Sequence, residues 1–409
     1  MVKWRYFGAV TTSRNPYRTA PGSEPPELSG REGELGAARY AIEMAAAHDP
    51  PNPIVLTGLR GMGKTALLRQ IGRDAEAAGG LSIVAEADRS LRFRDVMRRE
   101  LRSALEGTTA LPARLSTALR RILERLPSVS YEIPHEGGSI ALSAAGSSED
   151  EEPPGVDSLE DVLLTLNDQL GRHARFLMIG IDEIQESPKA DLLQVIRAVH
   201  KTAGTERPIL FVGAGLPNAP GLLHAVRTYT ERWATYRLEL LTREATFAAV
   251  ALPAAALGAT WTAAALDTIY VRSLGYPYFV QAFASAAWHH HRGSTIAETD
   301  VAAIALGVQR SLDESIYDRQ FAQLSPREAA FVLALERLGR GAHRLEAIAS
   351  AMGFQSSSAL GSVRARLIAK DLIYAPARGL AEFRMPLTHE YIERHRHGIA
   401  EHAARAERP

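Results

Sequence analysis

The string Gly58-Leu59-Arg60-Gly61-Met62-Gly63-Lys64-Thr65 constrains this chain more than any other stretch. It follows an apolar run, Ile54, Val55 and Leu56 within Pro53 to Thr57, suited to a buried strand. It precedes Leu67, Leu68 and Ile71, which recur at helical spacing until Gly79-Gly80 ends the helix. Strand, glycine turn and helix in that order make a phosphate cradle. Glycine lets the backbone wrap a phosphate closely with its N–H groups inward. The helix N-terminus adds the positive end of its dipole. The cradle takes in Gly58, Arg60, Gly61, Met62, Gly63, Lys64, Thr65 and Ala66. In such a loop the lysine, Lys64, bridges the β- and γ-phosphates, and the Thr65 hydroxyl ligates Mg²⁺. The expected ligands are ATP and Mg²⁺.

The pattern around this loop is α/β. Ser82 to Glu86, Phe176 to Ile181, Pro208 to Val212 and Tyr236 to Leu240 read as further strands. Between them run helical patterns at about 31–48, 91–106, 112–126 and 159–170. Alternating strands and helices predict a parallel sheet covered on both faces. From Thr242 the pattern is helical until about 352, and short strands return at Leu372–Ala375 and Ala381–Met385. Residues 1–27 are rich in Pro, Gly, Ser and Thr without a period and read as an arm. Segment 127–158 interrupts the core: a hairpin around Glu136-Gly137-Gly138 and an acidic loop, Ser148 to Pro154, read as a solvated insertion.

Composition narrows the function. A length of 409 residues, 46% of them hydrophobic, suits two or three packed domains. Formal net charge is zero, so any nucleic-acid surface must be local. With no cysteine there are no disulfides and no thiolate metal sites, which fits a cytoplasmic protein. No apolar run reaches the length of a membrane span, and the N-terminus lacks the apolar stretch of a signal peptide. His289-His290-His291 lacks the i, i+4 spacing that zinc needs on a helix.

The strand Phe176-Leu177-Met178-Ile179-Gly180-Ile181 ends in Asp182-Glu183. In a P-loop enzyme the first carboxylate orients Mg²⁺ and its waters. The second polarises a water for attack on the γ-phosphate. Asp182 is therefore the expected metal-side residue and Glu183 the catalytic base. A base at this place speaks against a simple phosphotransferase, and no acceptor signature is evident.

Several stretches together resemble a family. Leu28-Ser29-Gly30-Arg31-Glu32 before the first strand looks like the adenine-side box of AAA+ and STAND ATPases. Ile181-Asp182-Glu183-Ile184-Gln185, Gly213-Ala214-Gly215-Leu216-Pro217-Asn218 and Ser273-Leu274-Gly275-Tyr276-Pro277 are similar to later family motifs. In order and spacing they resemble the origin-recognition-like AAA+ ATPases with a C-terminal winged helix, over about residues 16–392. The resemblance implies a nucleotide held by Arg31 and Pro277 as well as by the P-loop. It implies a homo-oligomer on ATP binding, with an arginine finger: Arg232 fits best, and Arg227 second. It also implies a polar sensor after the fourth strand and a lid arginine. Here Gly213-Ala214-Gly215, with Asn218 nearby, and Tyr276-Pro277 stand in those places.

From Leu324 the chain reads as a winged helix. Ser325-Pro326-Arg327-Glu328 starts a helix with Phe331, Leu335 and Leu338 on its apolar face. A second helix spans Leu345 to Met352. A third spans Ser356 to Lys370, with Leu360, Val363, Leu367 and Ile368 inward. The tip Pro376-Ala377-Arg378-Gly379 is the wing. Such a module lays its third helix in the major groove of DNA. Ser357, Ser358 and Arg364 face outward, and Arg366, Lys370 and Arg378 are in reach of phosphates. Residues 321–409 hold 13 Lys/Arg and 9 Asp/Glu, a net of 13 − 9 = +4, which is mildly basic.

The expected organisation is an arm (1–27), a P-loop ATPase core (28–241), a helical lid (242–320), a winged helix (321–395) and a tail (396–409). The expected function is an ATP-hydrolysing, DNA-associated switch. The alternative is a STAND-like signalling ATPase whose winged helix and insertion contact protein partners.

Overall fold

The computed structural model describes residues 15–20, 23–88, 93–107, 113–125 and 158–407. The expected hairpin and acidic loop of the insertion lie outside them, apart from Ser158. The chain divides into two compact units, one of Gly33–Thr57 and Leu67–Tyr236, the other of Met1–Glu32, Gly58–Ala66 and Arg237–Pro409.

The first unit is the α/β layer. Its elements are α1 (Glu32–Ala46), β1 (Ile54–Thr57), α2 (Lys64–Ala77), β2 (Leu81–Glu86), α3 (Phe93–Gly107) and α4 (Ala113–Arg125). They continue with α5 (Leu159–Gly171), β3 (Leu177–Asp182), α6 (Lys189–Thr202), β4 (Ile209–Gly215), α7 (Ala219–Val226) and β5 (Ala234–Arg237). The sheet order is β2-β3-β4-β1-β5. Pairing is parallel between β2 and β3, β3 and β4, and β4 and β1. Every residue of β1, β3 and β4 is buried, because helices cover both faces of the central strands. That is why these strands are unbroken apolar runs in the sequence. Ile83, Met97, Leu163, Ile179, Val195 and Phe211 are among the residues that fill the core around them.

The fifth strand is earlier than expected, Ala234–Arg237 instead of Tyr236–Leu240. It alternates half-buried and exposed residues, so it offers no apolar run, and the leucines that follow it drew the expectation downstream. The Ala234 N–H fixes it at its start by donating to the Pro53 carbonyl at 2.9 Å.

In the second unit, α8 (Arg243–Ala255), β6 (Thr260–Trp261), α9 (Ala263–Ser273), α10 (Pro277–His290), β7 (Thr295–Ile296) and α11 (Glu298–Leu312) form a helical bundle. Thr242 and Thr262 cap α8 and α9 by accepting backbone N–H bonds at 3.2 Å. The parallel β6–β7 pair corrects the all-helical expectation; two residues per strand are too few to show a period. Residues 15–20, expected as part of a loose arm, are packed into this bundle. Tyr17 is buried, donates to the Val250 carbonyl at 2.6 Å, accepts from Trp261 Nε1 at 2.9 Å, and meets Trp261 and Trp288 edge-on.

A π-helical turn, Asp313–Asp318, and α12 (Arg319–Ala322) lead into the C-terminal module. It contains α13 (Pro326–Arg337), β8 (His343–Arg344), α14 (Leu345–Ala351), α15 (Gly361–Ala369), β9 (Ile373–Tyr374), β10 (Leu380–Phe383) and α16 (Thr388–Ala403). Ser325 and Glu328 form a capping box that starts α13. The strands pair antiparallel in the order β8-β10-β9. The third expected helix opens as a 3-10 turn, Ser357–Leu360, before α15. Helix α16 runs through the boundary expected at 395. Arg396 on it bonds Glu336 of α13 at 2.6 Å, and the His402 ring bonds the Leu324 carbonyl at 2.6 Å. Among the described residues, no helix is long and apolar enough to cross a membrane.

Candidate nucleotide site

The P-loop belongs to the second unit, and residues elsewhere in that unit hold it. Gly61 and Gly63 have φ of +75° and +89°, a backbone region that L-residues avoid. Lys64 is buried, and its Nζ donates to the carbonyls of Gly58 at 3.1 Å and Leu59 at 3.0 Å, which turns the ammonium inward across the loop. Arg31 is the first external contact. Its Nη2 donates to the carbonyls of Met62 at 3.2 Å and Glu239 at 2.8 Å. Arg31, expected beside the nucleotide, is buried here and its guanidinium clasps the loop's backbone. Tyr276 is the second contact, donating from Oη to the Arg60 carbonyl at 3.2 Å. The third is exposed and weak: Arg60 faces Asp371 at 3.7 Å.

Tyr276 is brought to the loop by the turn before α10. Gly275 has φ +74°, and a Cβ there would stand 2.0 Å from the Leu241 carbonyl oxygen, so only glycine fits. The Leu241 N–H donates to the Gly275 carbonyl at 2.8 Å. Pro277 then opens α10 at the first helical position, where no N–H is needed. Burial pushes the Tyr276 phenol well above its ordinary pKa, so it stays protonated and donating.

In the first unit, β3 ends at buried Asp182. Parallel register sets Ile181 opposite Gly213, and Leu56 opposite Ala214, so Asp182 lies level with the end of β1. Glu183 follows in a left-handed conformation, φ 48° and ψ 45°, which turns its side chain out of the strand line. Its N–H donates to Asp182 Oδ1 at 2.9 Å. A 3-10 turn, Ile184–Glu186, comes next. Gln185 Nε2 donates to Glu183 Oε2, and Gln185 Oε1 accepts from the Leu216 N–H at 3.1 Å. Within this unit the Asp182 carboxylate is the kind of hard oxygen donor that Mg²⁺ takes.

The glycines in place of a polar sensor have a packing reason. A Cβ on Gly213 would stand 3.0 Å from Ile184, and one on Gly215 would stand 2.8 Å from both Ile184 and Gln185. The 3-10 turn after Glu183 occupies that space. Asn218 caps α7 by position, without a side-chain cap bond. Arg232 ends the 3-10 turn Thr228–Arg232 on the exposed surface, and Arg227 is half-buried, reaching the Tyr229 hydroxyl. The His291 ring bonds the Trp288 carbonyl and the His289 ring the Ser285 carbonyl.

In the C-terminal module, three of the four residues expected to contact DNA have partners within the module itself. Arg364 Nε donates to the Leu380 carbonyl at 3.0 Å, tying α15 to β10. Arg366 and Lys370 both bond the carboxylate of Glu328, at 2.9 and 2.7 Å. Burial alone would raise the pKa of Glu328; the bonds from Lys370, the Ser325 backbone and Arg366 outweigh it and hold the pKa at about 2. These three cations brace the module from within. Arg378 is exposed at the β9–β10 tip, as is Ser358, while Ser357 is half-buried and bonds Glu346 at 3.1 Å. Sequence reading missed Tyr17 and the roles of Gln185 and Glu328. For Gln185 the only local hint is an amide two residues after the second carboxylate.

Residues 27–212 match the AAA ATPase domain family, and residues 314–392 match a domain of unknown function. No curated protein sequence matches the chain. Among solved structures, the Orc2 protein of Aeropyrum pernix, determined in ADPNP–ADP complexes, is similar with a TM-score of 0.53 at 15% identity, covering 95% of this chain and 97% of that one. Cdc6p of Pyrobaculum aerophilum is similar at 0.42 and 14% identity, covering 95% and 98%. The RuvB Holliday junction branch migration motor of Thermotoga maritima is similar at 0.44 and 16%, covering 90% and 98%.

Proposed function

We propose, on the premise that this chain is an origin-recognition-like AAA+ ATPase with its AAA ATPase domain at residues 27–212, that it hydrolyses ATP and uses the nucleotide state to control a DNA-facing C-terminal module. The observation that carries the reading is strand register. β4 pairs with both β1 and β3, so β1 ends, and the chain turns into the P-loop, at the same end of the sheet at which β3 delivers Asp182 and Glu183.

The P-loop N–H groups and Lys64 bind the phosphates of ATP. Thr65 and Asp182 would each offer an oxygen to Mg²⁺, which would neutralise phosphate charge. Glu183 accepts a proton from the attacking water as its oxygen bonds the γ-phosphorus. The bond from the γ-phosphorus to the β–γ bridging oxygen breaks, and ADP leaves with that electron pair. The proton then passes to phosphate or solvent. In an ATP-bound oligomer, Arg232 of one subunit reaches the γ-phosphate held by its neighbour. The core spans 28–241, including the insertion 127–158. The lid spans 242–320 and a winged helix 321–395, with Arg378 on its wing meeting a DNA phosphate. The protein works in the cytoplasm.

Retention of duplex DNA with ATP, with ADP and without nucleotide, each across a salt series, tests this. Phosphate contacts must weaken steeply with salt. Equal retention in all three states sinks the coupling. No retention at low salt favours a second reading, a STAND-like switch whose C-terminal module contacts a protein. That reading is favoured by Gly213-Ala214-Gly215 at the sensor place, Tyr276 where a lid arginine is expected, and the internal pairing of Arg366 and Lys370.

A further inference from the structure

Glu183 carries the base role in the reading above, and a left-handed residue at the end of a strand does not by itself fix where a carboxylate points. Free rotation about its χ angles would spread the two oxygens over several positions. The structure contains a part that removes this freedom. The side-chain amide of Gln185 is engaged at both ends, its Nε2 donating to Glu183 Oε2 and its Oε1 accepting from the Leu216 N–H at 3.1 Å. The two bonds need opposite ends of the amide, so its orientation is set: reversed, it would put nitrogen against an N–H and oxygen against a carboxylate.

The amide is itself held. Ile184 beside it is buried, and the turn Ile184–Glu186 is closed by the Glu186 N–H donating to the Glu183 carbonyl at 2.7 Å. Across from it, Gly215 leaves the space the amide needs, since a Cβ there would stand 2.8 Å from Gln185 Oε1. Leu216 directly follows β4, so the amide links the carboxylate to the neighbouring strand's end.

We infer that Gln185 is a positioning residue for Glu183, keying its carboxylate to the end of β4 in place of a polar sensor side chain. The inference rests on Glu183 being the base. Gln185 exchanges no proton and contacts no reacting atom. It acts by holding one rotamer of a group whose misplacement by about 1 Å can cost two orders of magnitude in rate. The glycines of β4 and the glutamine of the turn are then two halves of one device: small residues on one strand admit the amide, and the amide orients the base on the other.

The test uses the full chain and four variants, Gln185→Ala, Gln185→Met, Gln185→Glu and Glu183→Gln. Gln185→Met keeps the volume and neither bond. Gln185→Glu keeps the shape and an acceptor for Leu216 but has no donor for Glu183. All three Gln185 variants are expected to keep their melting midpoint within a few degrees and their KM for ATP within about twofold. Each is expected to lose about tenfold or more in kcat, the pattern of a contribution made in the transition state. Wild-type kcat in Gln185→Met or Gln185→Glu would overturn the inference, because packing or the Leu216 contact would then suffice. A kcat loss that tracks a fall in melting midpoint or in ATP affinity would overturn it as well. Glu183→Gln separates the two levels. If it abolishes turnover while the Gln185 variants keep theirs, the base stands and the positioning role falls. If Glu183→Gln turns over at the wild-type rate, the base reading falls and takes the positioning role with it.

Discussion

The Tyr276 hydroxyl donates to the Arg60 carbonyl at 3.2 Å, so the residue that caps α10 also closes on the backbone of the P-loop. The contact is more than one bond. The Tyr276 ring is buried, lies 4.8 Å from the Phe279 ring, and fills the space over Gly61. With Arg31 bonded to Met62 and Glu239, the loop's backbone is gripped from two sides within one unit. A change in the loop must therefore be felt at the start of α10, and the reverse holds too.

Gly61→Ala makes the first prediction. A Cβ there would stand 2.2 Å from Tyr276 Oη, and the residue's φ of +75° already costs any other residue about 1–2 kcal/mol. Gly63 has a φ of +89° but no atom within 4 Å of its would-be Cβ. In nucleotide-free protein, Gly61→Ala should lower the melting midpoint clearly more than Gly63→Ala, since only the first displaces the tyrosine. Equal midpoints would show that the ring moves aside freely.

Tyr276 separates hydrogen bond from packing. Tyr276→Phe removes only the hydroxyl and should cost about 1 kcal/mol. Tyr276→Ala empties a buried ring site and should cost about 3–5 kcal/mol. Urea unfolding of both variants measures the difference. If the two cost the same, the ring contributes nothing and the grip on the loop is the hydroxyl alone.

The parts of this arrangement that the sequence made legible are those fixed by local chemistry. β1, β3 and β4 are apolar runs because both faces are covered, and the P-loop is a string of glycines because its backbone needs them. Ser325 and Glu328 are three residues apart, so their capping box could be read directly. What stayed hidden depends on partners far along the chain. Lys370 is 42 residues from Glu328, and Gln185 is 31 from Leu216; nothing in a basic or amide residue states where its partner lies. The same is true of Tyr17, whose bonds to Val250 and Trp261 span 233 and 244 residues. In sequence Arg366 and Lys370 read as within reach of phosphates; both instead bond the buried Glu328 carboxylate, although the Arg366 side chain is still half exposed.

The Glu328 cluster predicts an acid weakness. Its folded pKa, about 2, lies below its ordinary 4.5, so it binds fewer protons folded than unfolded between those values. A depressed carboxylate contributes its stability above the unfolded pKa and loses it as pH falls through the folded one. The contribution should be complete above about pH 4.5, worth about 3 kcal/mol, and gone near pH 2. Glu328→Gln should therefore destabilise the protein by that order at pH 7, and the difference from wild type should close as pH falls from 4.5 to 2. Denaturant unfolding at a series of pH values reads this directly. A difference that stays constant with pH would mean the ion pairs contribute no net stability.

The braced arginines change which substitution should affect DNA. Arg378 stands exposed at the tip of the β9–β10 hairpin, whereas Arg366 is committed to a carboxylate that is 1% exposed. If the proposed winged helix meets DNA through its wing, Arg378→Ala removes one phosphate contact and little else. DNA affinity should then fall at every sequence, and the slope of log affinity against log salt should drop by about one. The melting midpoint should stay within about 0.5 kcal/mol of wild type in free-energy terms, as for an ordinary surface change. Arg366→Ala should do the reverse, lowering the midpoint by leaving Glu328 with fewer partners and keeping the salt slope for the fraction that stays folded. Fluorescence anisotropy of labelled duplex across a salt series, run beside thermal melts of the same samples, distinguishes the two. A reduced slope in Arg366→Ala with an unchanged melt would mean that this guanidinium leaves Glu328 for a phosphate when DNA arrives, and would return α15 to the DNA interface.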